Sequence, residues 1–306
     1  MDPKTAASDF LLLTTAVIWG FAFVAQRVGM EYIGPFAFNG IRFALGCAVL
    51  LPLLIRDLRR TPPPGRTSAL PAHRSLLPGG IAAGIFLFGG ASFQQVGMVY
   101  TTAGNAGFIT GLYVVIVPVI GLFTGQRSST GIWLGALLSA IGLYLLSITG
   151  EFTISRGDFL VLMGAFVWAA HVLFIGWFAP KTSPLRLAFA QFAVCSILSL
   201  AVAAVRETFS VPSILQAALP LAYGGLLSVG VAYTLQVVAQ KSAHPAHAAI
   251  LLSLEAVFAA IGGRLILEES MTTRAIIGCA FMLAGMLISQ LWGWWWFHLR
   301  ETDNRH

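Results

Sequence analysis

Long apolar segments constrain this chain more than any other feature of its sequence. Ten of them follow one another, each about the ~20 residues that an α-helix needs to cross the hydrocarbon core of a bilayer. A transmembrane barrel would instead show shorter segments in which polar and apolar residues alternate. The sequence therefore predicts an all-α integral membrane protein with ten transmembrane helices. We place the helices at residues 10–28, 36–55, 76–97, 104–124, 130–149, 157–178, 185–205, 215–238, 246–267 and 273–296.

The composition agrees with a membrane protein and argues against several other classes. Hydrophobic residues make up 57% of the chain and charged residues only 10%, whereas about a quarter of a soluble domain is charged. The net charge of +6 indicates topology rather than a nucleic-acid partner. His244 and His247 have no acidic residue or Cys nearby, so they predict no metal site. No phosphate-binding loop, nucleophile elbow or cofactor motif is present, and we expect neither a cofactor nor an enzyme.

The positions of the positive charges predict the orientation. Of the 18 Lys and Arg residues, twelve fall in segments on the side of the N-terminus and five in connections on the other side, while Arg42 lies inside a predicted helix. Cytoplasmic loops of membrane proteins carry the excess of Lys and Arg. Both termini are therefore predicted to be cytoplasmic.

The chain also contains an internal repeat. Residues 9–19 match residues 158–168 at a constant offset, so that Asp9 aligns with Asp158 and Trp19 with Trp168. We expect a first unit at residues 1–150 and a second at 151–306, each with five helices. An odd number of crossings forces the second unit to enter the membrane from the opposite side. Such inverted repeats are characteristic of secondary transporters, whose substrate site lies near the bilayer midplane between the repeats.

Several features together resemble a known family. They are Trp19 and Trp168 in the first helix of each repeat, Pro35 and Pro184 at the start of the second, the run Gly107–Pro118, and the run Leu254–Ala260 followed by Leu267-Glu268-Glu269. In order and spacing these resemble the EamA family of the drug/metabolite transporter superfamily, whose ten-helix members contain two five-helix EamA repeats. The resemblance implies transport of small organic molecules across the inner membrane of a bacterial cell.

Polar and ionisable side chains at bilayer depth cost ~2.5 to 3.5 kcal/mol for Arg or Asp, so they usually face the interior of the bundle. Trp19 and Trp168 lie near the midplane, where they either pack in the core or form the wall of a cavity. His171 lies one turn beyond Trp168. Arg42 either holds a carboxylate or phosphate of a substrate or pairs with backbone carbonyls. Glu255 is the candidate for proton coupling, with a structural hydrogen bond as the alternative.

Further polar residues follow the helical spacing of predicted spans. Gln95 lies on the third helix, and Tyr233 and Gln236 lie on the eighth. These side chains either line a cavity or form hydrogen bonds between helices. Asn105 and Tyr113, on the fourth helix, are weaker candidates for contact with a substrate.

The resulting hypothesis is a secondary active transporter that exports small organic metabolites or drugs by alternating access. The partners implied are a small-molecule substrate and the lipid bilayer, and the sequence leaves monomer and homodimer open. One alternative is an exchanger of nucleotide sugars or phosphorylated metabolites, for which several cations at cavity depth would be expected. The other is a membrane-embedded enzyme that acts on lipids. Such an enzyme would need Asp, His or Ser side chains that converge near one interface, and we expect no such cluster.

Overall fold

The computed structural model describes residues 3–59, 72–125, 128–147, 155–208, 210–269 and 272–303, and these form helices without any strand. The α-helices are α1 (Pro3–Gly29), α2 (Pro35–Arg59), α3 (Ala72–Gly97), α4 (Ala103–Gly111), α5 (Tyr113–Phe123), α6 (Thr130–Ser147), α7 (Arg156–Phe178), α8 (Pro184–Arg206), α9 (Val211–Gln216), α10 (Ala218–Ala222), α11 (Thr234–Ala239), α12 (Pro245–Ser253), α13 (Glu255–Ile266) and α14 (Thr273–Asp303).

Among the described residues, eight helical stretches are long and apolar enough to cross a membrane. Two shorter apolar stretches, Thr130–Leu145 and Ile276–Ser289, lie where the fifth and tenth spans are predicted. The predicted all-α membrane fold is therefore confirmed. The boundary predicted between residues 150 and 151 lies outside the described residues.

The fourth and ninth spans are each broken near the middle. Leu112 separates α4 from α5, and Leu254 separates α12 from α13. The residues that begin the second halves, Tyr113 and Glu255, are 142 positions apart in the chain, as are the two breaks. Corresponding spans of the two repeats are therefore interrupted at corresponding places. Here each break is a single turn residue, and backbone hydrogen bonds continue on both sides of it. Spans interrupted near the midplane are typical of transporter folds, where the interruption lies at the binding site.

The eighth span contains a long π-helical stretch at Tyr223–Tyr233, between α10 and α11. Two hydrogen bonds join this stretch to the first span: Trp19 Nε1 donates to the carbonyl of Ser228 at 3.2 Å, and Tyr223 Oη donates to the carbonyl of Ile18 at 3.0 Å. π-helical turns are rare and occur mainly at functional sites. This one fixes α1 against the second repeat.

The second and seventh spans, α2 and α8, form a pair that is joined at both ends. At one end Arg186 Nε lies 2.9 Å from Asp57 Oδ2. At the other end the carboxylate of Glu207 accepts hydrogen bonds from the backbone N–H groups of Phe36 (2.9 Å) and Ala37 (2.8 Å). A carboxylate at this place satisfies free N–H groups and complements the positive end of the helix dipole. Because both ends are fixed, we expect α2 and α8 to move together.

The fifth and tenth spans, α6 and α14, pack backbone against backbone through glycines. A Cβ atom placed on Gly142 would lie 2.5 Å from the carbonyl oxygen of Gly278, and one on Gly135 would lie 2.7 Å from that of Gly285. Small residues allow this close approach of helices in a bilayer.

Replacement of Gly142 by Val is expected to destabilise the protein, because the new side chain overlaps the backbone of α14. Overpacking of this kind costs about 1 to 3 kcal/mol, so the midpoint of thermal unfolding in detergent should fall by several degrees. The matched control is Leu137→Val on the lipid-facing side of the same helix, where Leu137 is exposed. Equal midpoints for the two variants would contradict the packing argument.

Candidate functional site

A cavity lies at the centre of the bundle, between the two repeats. Its empty volume is about 450 Å³, part of which is open to solvent, but the centre of a water molecule can occupy only about 30 Å³ of it. It therefore holds few waters in this conformation, and an organic molecule would need the bundle to open. Seven of the predicted site residues line it: Trp19, Arg42, Tyr113, Trp168, Tyr233, Gln236 and Glu255. Their roles in binding remain predictions.

Three aromatic rings form one wall of the cavity. The ring of Tyr233 is 4.5 Å from that of Trp19 and 6.0 Å from that of Trp168, between centroids, and it is stacked on the latter. The two tryptophans come from corresponding positions of the two repeats and thus approach the same tyrosine. A wall of this kind suits a flat or apolar part of a ligand.

A chain of hydrogen bonds continues from this wall. Trp168 Nε1 donates to Gln94 Oε1 (2.9 Å), Gln94 Nε2 donates to Gln26 Oε1 (3.1 Å), and Gln26 Nε2 donates to the carbonyl of Ala22 (3.1 Å). Gln94 and Gln26 both line the cavity. The predicted residue Gln95 does not line it; its Nε2 donates to the carbonyl of Gln26 at 3.3 Å. Neighbouring helical residues point about 100° apart, and the sequence did not reveal which glutamine faces inward.

The two broken spans meet at the cavity through one hydrogen bond. Tyr113 Oη donates to Glu255 Oε1 at 2.9 Å, and both side chains are buried. Each residue begins the second half of its broken span. The carboxyl group that is the candidate for proton coupling therefore lies at the point where both spans can bend.

Arg42 carries a positive charge into the same cavity, although only 2% of the residue is exposed. Its Cζ lies 5.1 Å from the ring centroid of Phe43 and 5.6 Å from that of Phe38. Within the described residues no carboxylate lies at ion-pair distance from Arg42, and its Nε has no hydrogen-bond partner. Burial of an unpaired charge is costly, so the guanidinium is chemically suited to receive an anionic group.

The two repeats differ at this place. The positions that correspond to Ala22 and Arg42 are His171 and Gln191 in the second repeat. His171 Nε2 lies 2.9 Å from Gln191 Oε1, and both residues are fully buried outside the cavity lining. The second repeat thus pairs its polar groups with each other. In the first repeat the position that corresponds to His171 is Ala22, which has no polar side chain that could pair with Arg42.

One predicted polar residue lies outside the cavity lining, and two hydroxyl residues that line the cavity were not predicted. The predicted residue Asn105 lies outside the cavity lining, in the first turn of α4, where its backbone N–H donates to Thr102 Oγ1 at 3.1 Å. Thr110 and Ser228 do line it and were not predicted. Hydroxyl residues are common in membrane helices and give no distinctive pattern in sequence. Thr110 Oγ1 and Gln236 Oε1 are buried without a partner, so the cavity can offer further hydrogen bonds.

A separate polar cluster lies near the face where α1 begins. His247 Nε2 is 2.9 Å from Asp9 Oδ1, and its Nδ1 is 3.0 Å from Ser289 Oγ. The expectation that Asp, His and Ser side chains do not converge is therefore wrong, because helices distant in sequence bring them together. Ser289 lies within α14, where backbone N–H groups bond to preceding carbonyls, so its own N–H group is not free to stabilise an oxyanion.

An all-helical membrane bundle with two broken spans around a central cavity is the architecture of a transporter. The sequence model of the EamA-like transporter family matches residues 6–148 and 155–291. The chain therefore belongs to the EamA-like transporter family, as its sequence resemblance implied.

Individual relatives agree with this assignment. The chain is 32% identical over 298 residues to an uncharacterized transporter of Archaeoglobus fulgidus, covering 94% of this chain and 87% of the relative. It is 22% identical over 291 residues to the uncharacterized transporter YoaV of Bacillus subtilis, covering 91% and 94%. The uncharacterized inner membrane transporter YedA of Escherichia coli is 28% identical over 167 residues, covering 52% and 49%.

A solved crystal structure of another protein shares the fold. The superposition has a TM-score of 0.73 at 19% sequence identity and covers 94% of this chain and 97% of the other. At this identity the likeness concerns the fold alone.

Proposed function

We propose that this transporter is a secondary active carrier that exports small organic molecules by alternating access between its two inverted halves. The observation that carries the proposal is the central cavity, because residues of both repeats line it and it has room for few waters. A cavity between repeats can face each side of the membrane in turn when groups of helices around it move relative to one another. The broken fourth and ninth spans supply the places where such a motion can bend the helices.

The substrate class follows from the groups around the cavity. We infer that the transported molecule has a flat apolar part, which packs against Trp19, Tyr233 and Trp168, and an anionic group, which pairs with Arg42. The buried guanidinium has no carboxylate partner among the described residues, and a bound anion would compensate its charge.

We further propose that protons drive the export, with Glu255 as the group that takes up and releases them. A membrane-embedded carboxyl group that faces a cavity is a frequent proton carrier in transporters. The hydrogen bond from Tyr113 connects this group to the opposite broken span, so a change at Glu255 reaches both repeats.

The proposed location is the inner membrane of a bacterial cell, with both termini in the cytoplasm. The excess of Lys and Arg on the N-terminal side supports the orientation. The relative YedA of Escherichia coli is named as an inner membrane transporter.

Two other functions have less support. An exchanger of nucleotide sugars or phosphorylated metabolites would need several cations around the phosphates, and Arg42 is the only Lys or Arg among the described residues that line the cavity. A lipid-acting enzyme has a possible centre in Asp9, His247 and Ser289, but Ser289 lies within a helix and has only 9% exposure. Both arguments favour transport of small molecules.

The proposal is tested with purified protein in two stages. Thermal unfolding is measured first against a panel of amino acids, amines, nucleosides, dyes and planar carboxylates, because a ligand raises the midpoint by mass action. Stabilising compounds are then tested for flux in proteoliposomes. We expect at least one of them to cross faster than through protein-free vesicles, in a saturable way. Flux of every stabilising compound at the protein-free rate would contradict the proposal.

A further inference from the structure

The duplicated aspartates, Asp9 and Asp158, each bind the beginning of a broken span. Asp9 Oδ1 lies 2.9 Å from Nε2 of His247, which is in the first turn of α12. Asp158 Oδ1 accepts a hydrogen bond of 2.7 Å from Oγ1 of Thr101, just before α4 begins. The two contacts thus join corresponding elements of the two repeats. Each of them also crosses from one repeat to the other.

The two contacts lie at opposite faces of the membrane. Successive spans cross in alternating directions, so α1 and α12 begin at the N-terminal face of the bundle. The sixth span, α7, and the fourth span, with α4 first, begin at the opposite face. The contact of Asp9 therefore joins the two repeats at the N-terminal face, and that of Asp158 joins them at the opposite face.

The half-helices that these contacts hold end at the cavity, where a single turn residue interrupts each span. α12 ends at Ser253 and α4 ends at Gly111, each just before the break in its span. Thr110 near the end of α4 and Leu252 near the end of α12 both line the cavity. A half-helix that swings about the break would therefore open a path from one face to the cavity. A continuous helix has no such bending point.

Neither half-helix is held in the way that α2 and α8 are. The α2–α8 pair is joined at one face through Asp57 and Arg186 and at the other face through Glu207. Loss of one of these contacts would leave the two helices joined at the other face. The contacts of Asp9 and Asp158 each act at one face only. Among the described residues a further contact joins the repeats at each face, Ser8 with Ser242 (3.0 Å between hydroxyl oxygens) at the N-terminal face and Arg156 over the ring of Tyr100 at the other. Unlike these two, the contacts of Asp9 and Asp158 use a carboxylate.

We propose that α12 is the gate of the N-terminal face, that α4 is the gate of the opposite face, and that Asp9 and Asp158 hold these gates closed. The proposal rests on the alternating access proposed above. In this conformation both contacts are formed, which agrees with a cavity that holds few waters.

The two closures differ in their surroundings. His247 also contacts Ser289, so the closure of the N-terminal face joins α1, α12 and α14. Asp158 shares its carboxylate with the N-terminus of its own helix, where Oδ2 accepts the backbone N–H of Ser155 at 3.2 Å. The repeat thus provides one aspartate contact at each face. Because the two contacts have different partners, we expect one gate to open more readily than the other.

Access to the cavity from each face tests the proposal. Cys47, Cys195 and Cys279 are replaced by Ala, and the cavity residue Ser228 is replaced by Cys as a reporter. A membrane-impermeant maleimide is then applied from one face at a time in vesicles of known orientation. Asp9→Ala should raise the labelling rate from the N-terminal face about tenfold, which corresponds to the loss of one charge-assisted hydrogen bond. Thr101→Val should raise it from the opposite face by a similar factor.

Increases in labelling from opposite faces distinguish the opening of one gate from a general loss of packing in the bundle. His247→Leu, which removes the ring nitrogens, is expected to act like Asp9→Ala, and Ser289→Ala, which removes only the third member, should act in the same direction more weakly. A rise of equal size from both faces, a rise from the wrong face, or no change in variants that unfold at the parental temperature would each overturn the proposal. Because labelling needs no substrate, failure to find a transported molecule leaves this result intact.

Discussion

Replacement of Glu255 by Gln is expected to abolish the dependence of transport on pH in proteoliposomes. Gln retains the size of Glu and an oxygen that can accept the hydrogen bond from Tyr113, but it cannot take up a proton. One pH unit corresponds to about 1.4 kcal/mol, or about a tenfold concentration ratio of substrate. The wild-type protein should build up such a ratio across an imposed pH difference, and the variant should only equilibrate the substrate.

Tyr113→Phe is the matched control for this experiment. It removes the hydrogen bond to Glu255 and leaves the carboxyl group in place, so transport should slow but remain dependent on pH. If Glu255→Gln kept the pH response of the wild-type protein, Glu255 would have only a structural role. Loss of the response in both variants would show that proton exchange at Glu255 also requires the hydrogen bond from Tyr113.

Loss of Trp19 or Trp168 is expected to weaken substrate binding strongly while the protein still folds. Both indole rings pack around Tyr233 at the cavity, and removal of one would expose a large apolar surface. An aromatic contact of this size is worth about 1.5 to 3 kcal/mol, so the Kd of the substrate should rise about 10- to 100-fold in each Ala variant. The Kd is measured by titration with a ligand found in the thermal screen.

Trp177→Ala serves as the control, because Trp177 lies on the same helix as Trp168 but is 58% exposed on the outside of the bundle. Its loss should leave the Kd unchanged. An unchanged Kd in the Trp19 and Trp168 variants as well would assign both rings to packing alone.

The membrane fold was predictable from sequence because its cause is local. A span needs about 20 apolar residues wherever it lies in the chain, and the duplication around Trp19 and Trp168 follows from simple alignment. The same alignment pointed to the residues that differ between the repeats. In this alignment Arg42 corresponds to Gln191. The structure places Arg42 at the cavity, whereas Gln191 forms a buried pair with His171.

The details of the site depend on rotation and bending, which hydropathy does not record. The sequence selected Gln95 rather than its neighbour Gln94, because an apolar span shows little difference between its faces. The break at Leu254 and the π-helical stretch Tyr223–Tyr233 occur without a proline in either place. The contact of Asp9 with His247 joins residues 238 positions apart, so only the folded bundle reveals it.

The carboxylate of Glu207 has a consequence for how the chain is made. It satisfies the first N–H groups of α2, at Phe36 and Ala37, yet it is synthesised 171 and 170 residues later. The first half of the protein therefore leaves the ribosome before this carboxylate exists, and the two N–H groups of α2 bond to it only when α8 has been inserted. Biogenesis of the two halves is thus coupled, and a half expressed alone lacks a contact that its own sequence cannot supply.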